Sequence, residues 1–359
     1  MKKKILYTAY ALLFLIICAI PAAVMPFVKA EDTKENRKLS QFPEIKMEDG
    51  SLNTDWAKEF DTYFSEHFGF RRDLVNAHNT LLDTMFDSSG EDDVIIGKNG
   101  WLYYSYTADD YMGTDRMSDR EIEETAHTLK MMQDYAEKNG SKLIFAGVPN
   151  KNTVYPEYMP YNYLERTEES DLERLEKALE KEGVNYCSLE NVLKKQKNED
   201  NDLLYHKEDT HWNNCGAYTA YKTLFDMAGM EKIDIQKSGV SDTWEGDLRK
   251  MLFPDSDKKD QQIDYDFTPT YNYVGRFRGL DDMQIRTSGN GKGSVLMFRD
   301  SFGEAILPYI AESTATAVFS RAVPYKLDMI EQEHFDTVIV EIVERNLKKL
   351  REQCPESPY

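Results

Sequence analysis

Ser294-Val295-Leu296-Met297-Phe298-Arg299-Asp300-Ser301-Phe302-Gly303-Glu304 is the stretch that decides the fold. Ser294 to Phe298 is an apolar run of strand length, too short for a helix, and reads as a strand buried in a parallel sheet. Asp300, Ser301 and Gly303 then impose a sharp turn, and Glu304 to Ile310 opens a helix. A serine at a strand-to-helix junction exposes its side-chain oxygen, with backbone N–H groups of the next turn aimed at whatever it attacks. A second stretch, Asp209-Thr210-His211-Trp212-Asn213, supplies a carboxylate and an imidazole on alternate residues. In an extended loop both leave the chain on the same side.

A serine hydroxyl is a weak nucleophile near neutral pH. It needs a neutral imidazole to take its proton and a carboxylate to fix the tautomer of that imidazole. Ser301, His211 and Asp209 are therefore candidate catalytic residues. Structural roles stand beside this reading: Asp300-Ser301 also suits a helix cap, and the histidine loop also suits a capped turn around a packed Trp212.

Outward from these stretches, strands alternate with helices. Ser118 and Glu121 make a capping box for a helix running to about Asn139, followed by an apolar strand from Lys142 to Pro149. Further helices are predicted over 168–182 and 216–229, and further strands over 184–187, 316–319 and 337–342. The alternation predicts a parallel sheet with helices on both faces. In such sheets ligands bind beyond the carboxyl ends of the strands, where Asn150, the histidine loop and Ser301 all emerge. Asn150, Lys151 and Arg321 each follow a predicted strand and are candidates for substrate or oxyanion contacts, against turn chemistry for Asn150 and solvated charge for the other two. Trp212 and Tyr325 are candidates to line a sugar-binding cleft, against burial of their rings. Asp255 to Asp266 reads as a charged, solvated loop.

Before this domain, apolar residues at helical spacing from Trp56 to Met85 predict amphipathic helices broken near Gly69. His67 and His78 in these helices read as packed or partly exposed rather than as metal ligands. Glu31 to Leu52 reads as a tether. Lys2, Lys3 and Lys4 precede an apolar run from Ile5 to about Val28, long enough for a bilayer core of about 30 Å. A membrane-spanning signal anchor is expected over 1–30, with the basic flank cytoplasmic; Val28-Lys29-Ala30 keeps a cleaved signal peptide as the rival. The expected divisions are thus 1–30 anchor, 31–52 tether, 53–93 helical extension and 94–359 α/β domain.

A net charge of −20 over 359 residues excludes the basic stripe of a nucleic-acid binder. Cys18, Cys187, Cys215 and Cys354 have no metal or redox spacing. Cys187 and Cys215 are free to pair, but their spacing does not require it, and Cys215 reads as a small buried side chain. No metal or tightly held cofactor is needed for serine acyl transfer.

Asp209-Thr210-His211-Trp212-Asn213, Gly246-Asp247-Leu248 and Arg299-Asp300-Ser301-Phe302-Gly303 together resemble the AlgJ/AlgX-like branch of the SGNH hydrolases, and the DHHW-type members in particular. Val94 to Tyr104, Val148-Pro149-Asn150-Lys151 and Val154 to Glu157 add to the likeness, which covers about Asn53 to Arg345. Two departures from ordinary SGNH esterases stand out: Asp-x-His replaces Asp-x-x-His, as in the acetyltransferase branch, and Arg299 stands where a glycine usually precedes Asp-Ser. Such an arginine either crowds the turn or reaches toward a carboxylate or sugar.

The resemblance implies an SGNH-hydrolase-like, flavodoxin-like fold and an extracytoplasmic, membrane-attached bacterial polysaccharide O-acetyltransferase. Its acetyl donor would be a multipass membrane-bound O-acyltransferase, and its acceptor a hydroxyl of an exported or cell-wall polysaccharide. An acetylesterase with the same triad and a noncatalytic glycan-binding scaffold are the alternatives.

Overall fold

The computed structural model describes residues 2–27, 39–47, 50–86, 89–199 and 202–356. The Val28-Lys29-Ala30 site and residues 31–38 and 48–49 of the expected tether lie outside them. The chain divides into two compact units, Met1–Val94 with Asp247–Lys258, and Ile95–Gly246 with Lys259–Tyr359.

The first unit is helical. Helix α1 spans Lys2–Val24, α2 Trp56–His67 and α3 Arg71–Phe86. The predicted break at Gly69 falls between α2 and α3, where the Gly69 N–H donates to the Pro21 carbonyl at 2.9 Å. The tether residues described here are not loose. Phe42 packs edge-on against Phe60 and Tyr63, and the Trp56 indole donates to the Pro43 carbonyl at 3.2 Å. His67 bonds the Tyr63 carbonyl through Nδ1 at 2.8 Å. Among the described residues no helix is long and apolar enough to cross a membrane. The membrane-spanning helix expected over 1–30 is therefore not supported, since α1 opens on three lysines and contains Pro21, which shortens its regular apolar part. Leu12 to Ile17 are nevertheless all more than half exposed.

The second unit is built on strands β1 (Val94–Ile96), β2 (Leu102–Tyr104), β3 (Lys142–Val148), β4 (Tyr186–Ser188), β5 (Lys237–Trp244), β6 (Asp260–Tyr265), β7 (Asn272–Tyr273), β8 (Gln284–Ser288), β9 (Ser294–Phe298), β10 (Thr316–Ser320) and β11 (Thr337–Val343). The main sheet runs β4-β3-β11-β9-β10-β8-β7. Its first five strands are parallel, but β8 pairs antiparallel with β10 and β7 antiparallel with β8, so the sheet is mixed where a parallel one was expected. Gln284 to Ser288 alternates polar and apolar residues, as a half-covered edge strand does.

The central strands are apolar throughout because both faces are covered. Ile144, Ala146, Val295, Met297 and Ile339 point to one core, and Leu143, Phe145, Leu296, Phe298 and Val340 to the other, following the two-residue period of a strand. Helices α4 (Asp119–Lys138) and α5 (Asp171–Glu182) cover the second face through Leu129, Met132, Leu172 and Leu175. Helices α6 (Asn214–Ala228) and α7 (Gly303–Ser313) cover the first through Tyr221, Leu224, Ile306 and Ile310. Each such aliphatic side chain contributes about 1.5–3 kcal/mol by leaving water. The capping box at Ser118 forms in full, and Ser170 with Glu173 makes a second one on α5.

Strands β5 and β6 form a separate antiparallel pair. The loop expected over 255–266 is thus half strand. Its polar sequence carries no apolar alternation, and β5 is mostly exposed, so tertiary pairing rather than pattern holds it.

Candidate active site

The serine turn is held from three directions. Asp300 accepts from the Phe302 N–H at 2.9 Å through one carboxylate oxygen, and from the Val343 N–H at 2.9 Å and the Asn346 amide at 3.1 Å through the other, which ties the turn to the end of β11. Arg299 neither crowds the turn nor reaches the surface. It is 1% exposed, donates to the carbonyls of Asp300 and Leu280, and lies 3.5 Å from the Glu304 carboxylate. Its stem runs beneath Gly303, where an added Cβ would come within 2.6 Å of Arg299 Cδ and 2.7 Å of its Cβ. The glycine missing before Asp-Ser is in effect supplied after it.

The histidine loop is equally anchored. Asn213 caps α6, accepting from the N–H groups of Cys215 and Gly216 at 2.8 and 3.1 Å. The Trp212 indole donates to the Phe302 carbonyl at 3.0 Å, joining this loop to the serine turn. Lys151 is buried and its ammonium donates to the carbonyls of His206, Lys207 and Asp209 at 3.2, 3.0 and 2.6 Å. Trp101 and Tyr103 face that ammonium at 5.7 and 5.2 Å. Gly246 lets the chain approach the loop closely: an added Cβ would stand 2.2 Å from the Glu208 carbonyl oxygen.

These anchors bring the three candidate residues together. The Ser301 hydroxyl donates to His211 Nε2 at 2.8 Å, and His211 Nδ1–H donates to Asp209 Oδ1 at 2.7 Å. Asp209 is 3% exposed, and its second oxygen accepts from the Trp244 indole at 2.9 Å. Burial pushes the Asp209 carboxyl up, but the His211 imidazole, the neighbouring His206 and the Trp244 N–H outweigh it and hold the carboxyl below its ordinary value. The His206 ring stacks on the Trp244 indole at 4.6 Å and 6° and bonds the Gln261 carbonyl on β6 at 2.8 Å. Burial pulls its basicity down, against the Asp209 and Asp260 carboxylates, which raise it. The otherwise isolated β5–β6 pair thus delivers Trp244 to the carboxylate and anchors His206 beside it.

The other expected contacts take different places. Asn150, Lys151, Trp212, Arg299 and Tyr325 are buried, against the open cleft expected for Trp212 and Tyr325. Asn150 donates its backbone N–H to the buried Glu344 carboxylate at 2.9 Å. Arg321 pairs with Glu304 at 3.1 Å and, with Tyr325 and Lys349, lines a cavity of about 160 Å³. The Phe302 N–H is occupied by Asp300, which leaves the Ser301 N–H as the backbone candidate for an oxyanion. Cys187 and Cys215 are separate buried thiols. Sequence reasoning missed Trp244 and His206. The one available signal was that Trp244 stands two residues before Gly246, next to a motif already singled out.

A three-layer α/β unit with a serine turn after a central strand and an Asp-x-His loop beside it is the arrangement of an SGNH-hydrolase-like domain. Residues 94–273 match the family described as "SGNH hydrolase-like domain, acetyltransferase AlgX", and the chain belongs to that family. It is 28% identical over 173 residues to the "Probable alginate O-acetylase AlgJ" of Pseudomonas syringae pv. tomato, covering 48% of this chain and 42% of that protein. It is 27% identical over 208 residues to the Pseudomonas aeruginosa protein of the same name, covering 56% and 51%. The chain spans about half the length of these relatives. Among solved structures, Bacillus cereus PatB1 with a sulfonyl adduct superposes with a TM-score of 0.54 at 16% identity, over 72% of this chain and 98% of that one. A DHHW family protein from Eubacterium siraeum gives 0.52 at 14% identity, over 74% and 99%. These likenesses establish the fold.

Proposed function

We propose that the chain is an extracytoplasmic O-acetyltransferase that passes an acetyl group through Ser301 to a hydroxyl of an exported or cell-wall polysaccharide. The observation that carries the reading is the unbroken hydrogen-bonded series Ser301–His211–Asp209, with links of 2.8 and 2.7 Å. Ser301 Oγ attacks the acetyl carbonyl while its proton passes to His211 Nε2, and the imidazolium is stabilised by the ionised Asp209. The tetrahedral intermediate expels the donor's oxygen, which takes the proton from His211, and leaves an acetyl ester on Ser301. A sugar hydroxyl then attacks that ester, giving its proton to His211. Collapse releases the acetylated sugar and returns the proton to Ser301. The Ser301 N–H is the donor we assign to the oxyanion.

The donor is a multipass membrane-bound O-acyltransferase, and α1 attaches the protein to the same membrane. The exposed run Leu12 to Ile17 supports attachment, since an apolar surface on successive helical positions requires an apolar surrounding.

The test uses the full chain with a chromogenic acetyl ester, with and without an oligosaccharide, comparing wild type with Ser301→Ala and His211→Ala. Acetate release and acetyl mass gain by the oligosaccharide, both lost in the two variants, are expected. Release without any transfer would make the protein an esterase. Neither activity, with no labelling of Ser301 by a serine-directed inhibitor, would leave a glycan-binding scaffold.

A further inference from the structure

We propose that Tyr104, Tyr106 and Arg345 form an acceptor subsite beside Ser301, in which Arg345 grips an acidic group, a carboxylate or a phosphate, on the glycan to be acylated. The proposal rests on the acyl-transfer reading for its place in the reaction, but not for the binding itself.

Arg345 follows β11 closely, and so stands at the same carboxyl edge of the sheet as Ser301. Its guanidinium carbon lies 5.2 Å from the Phe302 ring centroid and 5.6 Å from that of Tyr104. Phe302 is in turn 4.8 Å from the His211 imidazole. In the other direction Tyr104 packs on Tyr106 at 5.0 Å, and Tyr106 is 66% exposed. A continuous strip of rings with one cation in it therefore leads from the triad to the surface. At its outer end the Tyr104 and Tyr106 rings, tilted by 31° to each other, offer faces of the kind that accept the apolar sides of sugars.

The charge on that strip is unusual for this protein. Arg166 lies beside Asp110 and Glu344, Arg174 beside Asp171 and Asp119, and Arg299 and Arg321 beside Glu304. Arg345, in a chain with 64 acidic against 44 basic residues, forms no ion pair among the described residues. A guanidinium lying over two rings without a carboxylate partner has N–H donors for a ligand, and its fork matches a carboxylate or phosphate. A protein of net charge −20 repels an anionic polymer at long range, so a local unpaired cation is what such an acceptor would require.

The test measures binding to the full chain carrying Ser301→Ala, by calorimetry, of a short oligouronate, a glycerol phosphate oligomer and a neutral cello-oligosaccharide. One acidic probe is expected to bind, and adding Arg345→Gln should weaken it about tenfold or more, as loss of a charge-assisted pair does. Arg345→Lys should fall between, because it keeps the charge and loses the fork. Which acidic probe responds separates a carboxylate from a phosphate. In transfer assays, Arg345→Gln should lower the preference for acidic over neutral acceptors by the same factor. The proposal is overturned if neither acidic probe binds, if Arg345→Gln leaves acidic binding unchanged, or if it weakens the neutral probe equally. Arg345-dependent binding in a protein without acyl-transfer activity would sink the catalytic reading and leave the subsite standing.

Discussion

At the scale of single residues, the site turns on how the Asp209 carboxylate is held. His211 donates both its Nδ1–H and its backbone N–H to one oxygen, and the Trp244 indole donates to the other. Asp209→Asn should cost roughly 10⁴-fold in kcat, because an amide presents a donor where the imidazole needs an acceptor; steady-state hydrolysis of an acetyl ester checks this. Trp244→Phe keeps a ring over His206 and removes only the N–H. It should lower kcat with little change in KM. It should also move the acid limb of the pH profile upward, since the carboxylate's charge then falls more fully on His211. A flat response of the limb would reduce Trp244 to packing. The Ser301–His211–Asp209 grouping was legible in the sequence, because residue type and spacing encode it. Trp244 was not, because its role depends on a strand pairing that polar residues do not announce. Trp212 was misplaced for the opposite reason: an indole beside a histidine suits a sugar cleft or a core equally well, and only the fold puts its N–H on the Phe302 carbonyl.

At the scale of elements, catalytic geometry depends on three loops meeting at strand ends, and on small or buried residues that let them meet. Gly303→Ala would drive a methyl into the Arg299 stem at 2.6–2.7 Å, and that stem is pinned at its far end by the Asp300 and Leu280 carbonyls. A loss of acyl transfer with the fold retained is expected, read by comparing activity with near-ultraviolet circular dichroism. Lys151→Met would strip three loop carbonyls of their shared donor. A loss of about 1–3 kcal/mol is expected in urea unfolding. The central strands and the helices over them were readable because continuous apolar runs and amphipathic periods have few other solutions. The antiparallel edge at β8 and β7 and the β5–β6 pair were not, since short polar strands gain their stability from partners distant in sequence.

At the scale of the whole molecule, the burial of acidic side chains links stability to pH. Burial, with the neighbouring Glu190 adding to it, pushes the Glu176 carboxyl from an ordinary 4.5 up to about 7. A folded state that binds its proton more tightly than the unfolded chain loses stability as pH rises from about 4.5 to about 7, and levels off above that. Glu176→Gln should flatten that decline and raise Tm above neutrality, by roughly 2–4 °C for each kcal/mol recovered; thermal scans from pH 4 to 8 would read it, and an unchanged slope would refute it. The outermost strands of the main sheet have a separate consequence. At one edge β4 offers 3 residues and at the other β7 offers 2. A strand arriving from another copy would find too little ladder at either margin to hold it. Crowding copies together, whether on a surface or in a concentrated solution, therefore gives them little purchase for fusing along the margins of the main sheet.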